Sequence, residues 1–142
     1  MRAGGRIQAG ERHTVELRIP AQPENLVLAR LALAGVGTLA GAGEDVIADL
    51  KVAVTEACTN AIQHAYPDGA GCIVIRYRVG NEAVEVEVED DGAGFDPTDP
   101  GADASESDGG QAMGLMIIRE LTDEVRFESD DSGSRIAFAR SC

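Results

Sequence analysis

The stretch Leu50 to Tyr66, LKVAVTEACTNAIQHAY, constrains this chain more than any other. With Asp45 as its cap, apolar residues at Ile47, Leu50, Val54, Cys58, Ala61, Ile62 and Ala65 recur at the spacing of one buried stripe on a helix. Pro67-Asp68-Gly69 then ends it. At about 100° per residue, Glu56 and Asn60 lie one turn apart on the same side, roughly opposite the centre of that stripe. Two readings are open. The pair is either the solvated face of an amphipathic helix or part of a site. Asn is a poor mid-helix residue because its side chain competes for the backbone. The neighbouring Ala53, Ala57 and Thr59 are small, as they would be with something packed close to this face. A carboxylate and an amide oxygen so placed suit a metal ion and a nucleophile, if the chain supplies a phosphate site elsewhere.

At 142 residues the chain is read as one domain, 11–142, behind a Gly- and Arg-rich tail, 1–10, that lacks periodicity and is expected to be disordered. Aromatic residues make up only 4% and Trp is absent, so the core has to be aliphatic. A formal net charge of -13 argues against a nucleic-acid partner and disfavours anionic membranes. Cys58, Cys72 and Cys142 have no metal-ligand spacing and read as reduced thiols, and His13 and His64 lack zinc spacing. Neither a signal peptide nor an apolar run long enough to span a bilayer is visible, which points to a soluble, cytoplasmic protein.

Val15, Leu17 and Ile19 alternate with Thr14, Glu16 and Arg18, predicting a half-buried strand from His13 to Ile19 closed by Pro20. Leu26 to Leu39 reads as a helix broken by Gly41-Ala42-Gly43. Arg30 is the only charge in its run LVLARLALAGVG. It either lays its stem over apolar neighbours or anchors an interface. Two strands follow, Cys72 to Val79 and Ala83 to Asp90. In the second, Val84, Val86 and Val88 point to the core and Glu85, Glu87 and Glu89 to water. In phase with the valines, Asp90 faces inward, where an unpaired carboxylate costs several kcal/mol. Gly92-Ala93-Gly94-Phe95 after it lets a ligand approach the backbone. Asp90 either caps this turn or accepts an exocyclic amine such as that of adenine. Asp96 to Gln111 has the composition of a mobile loop. Ala112-Met113-Gly114-Leu115 is expected to open a helix, Met116 to Leu121, whose amino terminus suits a phosphate. Val125 to Glu128 and Arg135 to Ala139 complete the chain as a hairpin.

An E-x-x-x-N helix, a D-x-G-x-G turn and a glycine-bearing helix start, in this order, resemble the N, G1 and G2 boxes of the GHKL ATPase superfamily. That superfamily's Bergerat fold is an α/β two-layer sandwich with a mixed, mostly antiparallel sheet and helices on one face. AVTEACTNAIQHAYPDG, VEDDGAGFDP and MGLMIIRELTDEV sharpen the likeness toward the anti-sigma-factor serine/threonine switch kinases of bacterial partner-switching systems, across roughly Val15 to Phe138. The resemblance implies ATP and Mg²⁺ as cofactors, with Asn60 on the Mg²⁺ and Glu56 as the base that accepts the substrate hydroxyl's proton. It places Asp90 on the adenine amine and Ser134 near the adenine. Gly92, Gly94, Met113, Gly114 and Leu115 fall in the boxes that approach the nucleotide. Arg30 matches an arginine that contacts partner proteins. A STAS-domain antagonist, a sigma factor or other output protein, and a homodimer are the implied partners. Ala112 replaces a usual Gly, and the loop carries Asp96, Asp99, Asp103, Glu106 and Asp108 without a basic residue. These departures favour the alternative of an ATP-binding, partner-sequestering module with little or no kinase activity.

Overall fold

The computed structural model describes residues 13–65, 71–80, 82–90, 107–130 and 133–142. The tail expected at 1–10, Gly92, Gly94 and most of the acidic loop lie outside those residues. Strand β1 (His13–Pro20) leads through a 3-10 turn (Pro23–Asn25) into helix α1 (Leu26–Ala40) and helix α2 (Glu44–Ala65). Strands β2 (Cys72–Val79) and β3 (Ala83–Asp90) follow, then helix α3 (Ser107–Leu121), and strands β4 (Glu124–Asp130) and β5 (Gly133–Ser141).

The strands form one five-stranded sheet in the order β1-β2-β3-β5-β4. Every neighbouring pair is antiparallel, in keeping with the mostly antiparallel sheet that was expected. Period-two alternation sends Ile73, Ile75, Tyr77 and Val79 of β2, Val84, Val86 and Val88 of β3, and Ile136 and Phe138 of β5 into one core. The helices supply Ala29, Leu33 and Val36, then Leu50, Val54, Cys58 and Ile62, then Ile118. The result is the expected α/β sandwich. Tyr77 carries its hydroxyl into this core and donates to the Ala29 carbonyl at 2.8 Å, which satisfies a group that burial would otherwise penalise. Burial pushes the Cys58 thiol up to about 12.

Helix α1 stops at Gly41, whose φ of 77° is left-handed and whose N–H reaches the Gly37 and Thr38 carbonyls. Gly37 has a packing cause. A Cβ there would lie 2.6 Å from Ile47 Cγ1, so its absence lets α1 meet the start of α2.

Two expectations need correction. Helix α3 begins at Ser107, not after Gln111. Ser107 and Asp108 are of the residue types that start helices. Gly109 and Gly110, each costing about 1 kcal/mol in a helix interior, do not stop a helix whose later turns are packed through Ile118. Glu87 does not point freely to water either, being only 6% exposed. The outer face of the sheet is a lattice of charges, and Glu87 sits inside it. It lies 2.9 Å from both Arg76 and Arg78 and 3.6 Å from Arg135. Burial pushes its carboxyl up, but Arg78, Arg135 and Arg76 outweigh that and hold it below its usual range.

Candidate functional site

Glu56 and Asn60 are both half-buried on α2. The reason is α3, which crosses them at a glycine. A Cβ built on the buried Gly114 would lie 3.0 Å from Glu56 Oε1, 3.2 Å from Asn60 Nδ2 and 3.4 Å from Asn60 Oδ1. The pair therefore packs against the α3 backbone and is not a free solvated face. Ala53 and Ala57, small in the sequence, are buried beside it.

At one end of the sheet stands a second polar pair. Asp90 lies on the helix-facing side with the valines and is 6% exposed. Antiparallel register sets it opposite Ser134 of β5. Ser134 Oγ donates to Asp90 Oδ2 at 2.6 Å, so a buried carboxylate keeps one oxygen fixed by a neutral hydroxyl. Glu89, Asp90, Glu128, Ser129, Gly133, Ser134 and Arg135 line a shallow pocket there.

Of the remaining candidates, Gly92 and Gly94 lie outside the described residues. Met113 is 61% exposed and Leu115 packs against the core. Because α3 starts at Ser107, the amides of Met113, Gly114 and Leu115 fall in its second and third turns. The amides free of helical bonding by geometry are those of the first four residues. Arg30 is half-buried, and its Nη1 donates to Thr55 Oγ1 on α2 at 3.4 Å. No carboxylate pairs with it among the described residues. The exposed Val27, Leu28, Leu31 and Leu39 share its helix.

One residue escaped the sequence reading. Arg140, near the end of β5, donates from Nη1 to Asp49 Oδ2 on α2 at 2.5 Å and to the Leu121 carbonyl, the last of α3, at 2.9 Å. The available signal was parity. Ile136 and Phe138 face the core, and Arg140 follows in phase.

A family model described as "Histidine kinase-like ATPase domain" matches residues 19–140. The chain is 41% identical over 137 residues to the serine-protein kinase RsbW of Bacillus subtilis (strain 168), an alignment that covers 89% of this chain and 84% of that one. With the serine-protein kinase RsbW of Listeria monocytogenes serovar 1/2a it shares 37% over 130 residues, 84% and 82% covered. Among solved structures, the RsbU and RsbW domains of Rv1364c from Mycobacterium tuberculosis superpose with a TM-score of 0.67 at 21% identity. That match covers 91% of this chain and 32% of the longer one, and it is a likeness of fold. From Ile19 to Arg140, spanning both polar pairs, the chain belongs to the histidine kinase-like ATPase domain family.

Proposed function

We propose that this protein is a cytoplasmic, Mg-ATP-dependent serine/threonine protein kinase and anti-sigma factor. In this reading it phosphorylates a Ser or Thr on a small STAS-domain antagonist and otherwise holds a sigma factor or another output protein. The observation that carries the reading is the pairing of Glu56 and Asn60 with the Gly114 backbone, in a chain 41% identical to a serine-protein kinase.

The residues fit the cofactors. Gly114 leaves open a cradle that a side chain would fill, and Asp90, held by Ser134, presents a buried acceptor suited to an adenine amine. Among the described residues no cluster of three or more His, Cys, Asp or Glu could hold a metal ion. Asn60 would add one oxygen to a Mg²⁺ carried on phosphates, the usual mode for this ion. When bound, Mg-ATP supplies the transferable phosphoryl group and the charge neutralisation on which such reactions mainly depend. Glu56, one helical turn from Asn60, would take the proton of the incoming hydroxyl. Arg30, without a carboxylate partner among the described residues and flanked by exposed apolar side chains, supports α1 as the surface for partner proteins and for a second copy of the chain.

The start of α3 at Ser107 favours one second reading, a sequestering module that transfers phosphate poorly, because the amides around Gly114 are then engaged in the helix. The deciding experiment retains partners from host lysate on the purified protein, with and without Mg-ATP, and maps new phosphoserine or phosphothreonine. A STAS protein phosphorylated only with Mg-ATP supports the kinase. Retained partners without new phosphate support the module. Glu56→Ala is expected to keep nucleotide binding and abolish transfer.

A further inference from the structure

We infer that Arg140 is a positioning residue for the phosphate end of this site, stapling α2 to α3 two turns away from the contact between Gly114 and the Glu56–Asn60 pair. The inference rests on the proposed nucleotide site and adds to it a residue outside the N, G1 and G2 boxes.

The geometry is that of an antiparallel helix pair fastened at one end. Asp49 precedes Glu56 by seven residues on α2, and Leu121 follows Gly114 by seven on α3. Arg140 Nη1 donates to acceptors on both helices, Asp49 Oδ2 at 2.5 Å and the Leu121 carbonyl at 2.9 Å. Seven residues are two turns, about 10 Å of helix. The staple and the site contact are therefore at matching positions on the two helices.

An arginine suits this place for two reasons. The last carbonyls of a helix lack intrahelical donors, and a cation there meets the negative end of the helix dipole. The side chains of Arg140 and Asp49 are 22% and 35% exposed, so water competes only in part. The neighbouring bonds hold the same end: Thr122 Oγ1 donates to the Ile118 carbonyl at 2.6 Å, and the Ser141 N–H to Asp123 Oδ2 at 2.7 Å. Toward Gly114, α3 meets the core through the apolar Ile118 and Leu115, contacts that are less directional than a hydrogen bond. With the staple released, a tilt of roughly 10° about the Ile118 contact, about 6 Å of helix from Gly114, would carry Gly114 by about 1 Å. Misplacements of 1 Å in such sites cost up to about a hundredfold in rate, and a hydrogen bond to a charged phosphate that is lost costs more than about tenfold in affinity.

The Asp90–Ser134 pair lies on β3 and β5, outside that lever. Loss of Arg140 should therefore weaken ligands in proportion to their phosphates. Titration calorimetry of the full chain with Mg-ATP and with adenosine separates the two ends, for wild type, Arg140→Met, Arg140→Lys and Asp49→Asn. Arg140→Met is expected to lose about tenfold or more in ATP affinity while adenosine changes less than about twofold. Arg140→Lys should recover part of the loss, and Asp49→Asn should fall between. Equal losses for ATP and adenosine would mean general loosening and overturn the inference, as would a lowered melting temperature with unchanged ATP affinity in the Lys and Asn variants. A wild-type chain that binds neither ligand would overturn the nucleotide site itself, an outcome distinct from both.

Discussion

Adding one methyl group at Gly114 separates stability from chemistry. The atoms it would meet are the ends of the Glu56 and Asn60 side chains, which can swing aside. Alanine is the better helix residue by about 0.5–1 kcal/mol. Gly114→Ala is therefore expected to keep or slightly raise the melting temperature while cutting phosphotransfer about tenfold or more, because Glu56 has to move. A differential melt beside a phosphotransfer assay checks it. For Asp90→Asn the expected loss of ATP affinity is ten- to a hundredfold, the size of one hydrogen bond to a charged group. Unchanged affinity by calorimetry would remove Asp90 from the site. At this scale legibility followed distance along the chain. Asp90 declared its direction through the valines two, four and six residues before it. The contact between Gly114 and Glu56 spans more than fifty residues, and no local pattern carries it. Arg140 was missed because the strand was ended at Ala139, two residues before its end at Ser141.

Among the elements, α1 contains its own control experiment. A Cβ at Gly35 would meet nothing within 4 Å, whereas one at Gly37 would collide with the Ile47 side chain. Gly35→Ala is expected to stabilise by about 0.5–1 kcal/mol and Gly37→Ala to destabilise by about 1–3 kcal/mol. For a chain of this size each kcal/mol moves the melting temperature by about 3 °C, so calorimetric melts should split the two variants in opposite directions. The long periodic elements were legible within a residue or two: α1 and α2 from their apolar spacing, β2 and β3 from alternation. The start of α3 was not, since Gly109 and Gly110 carry the local signature of a loop and only packing further along outweighs it.

For the molecule as a whole, the outer face of the sheet governs behaviour in acid. Glu87 is held below its ordinary value of 4.5 by Arg78, Arg135 and Arg76. A carboxylate depressed in the folded state contributes its full stability above the unfolded value and loses it as pH falls through the folded one. Glu87→Gln should cost about 1–2 kcal/mol at neutral pH, toward the lower range for bonds to charged groups because the arginines are partly exposed. The gap between variant and wild type should then close as denaturation midpoints are followed below pH 4.5. The strand order has a kinetic counterpart. Within the sheet, β1, β2 and β3 form one run of neighbours, β4 and β5 form a hairpin, and the strands of the two halves pair where β3 meets β5. That seam is long-range, so its closure entropy is met after the local hairpins form. Because the Asp90–Ser134 pair bridges it, a nucleotide bound there should slow the rate at which the halves part and leave the rate at which they first assemble nearly unchanged.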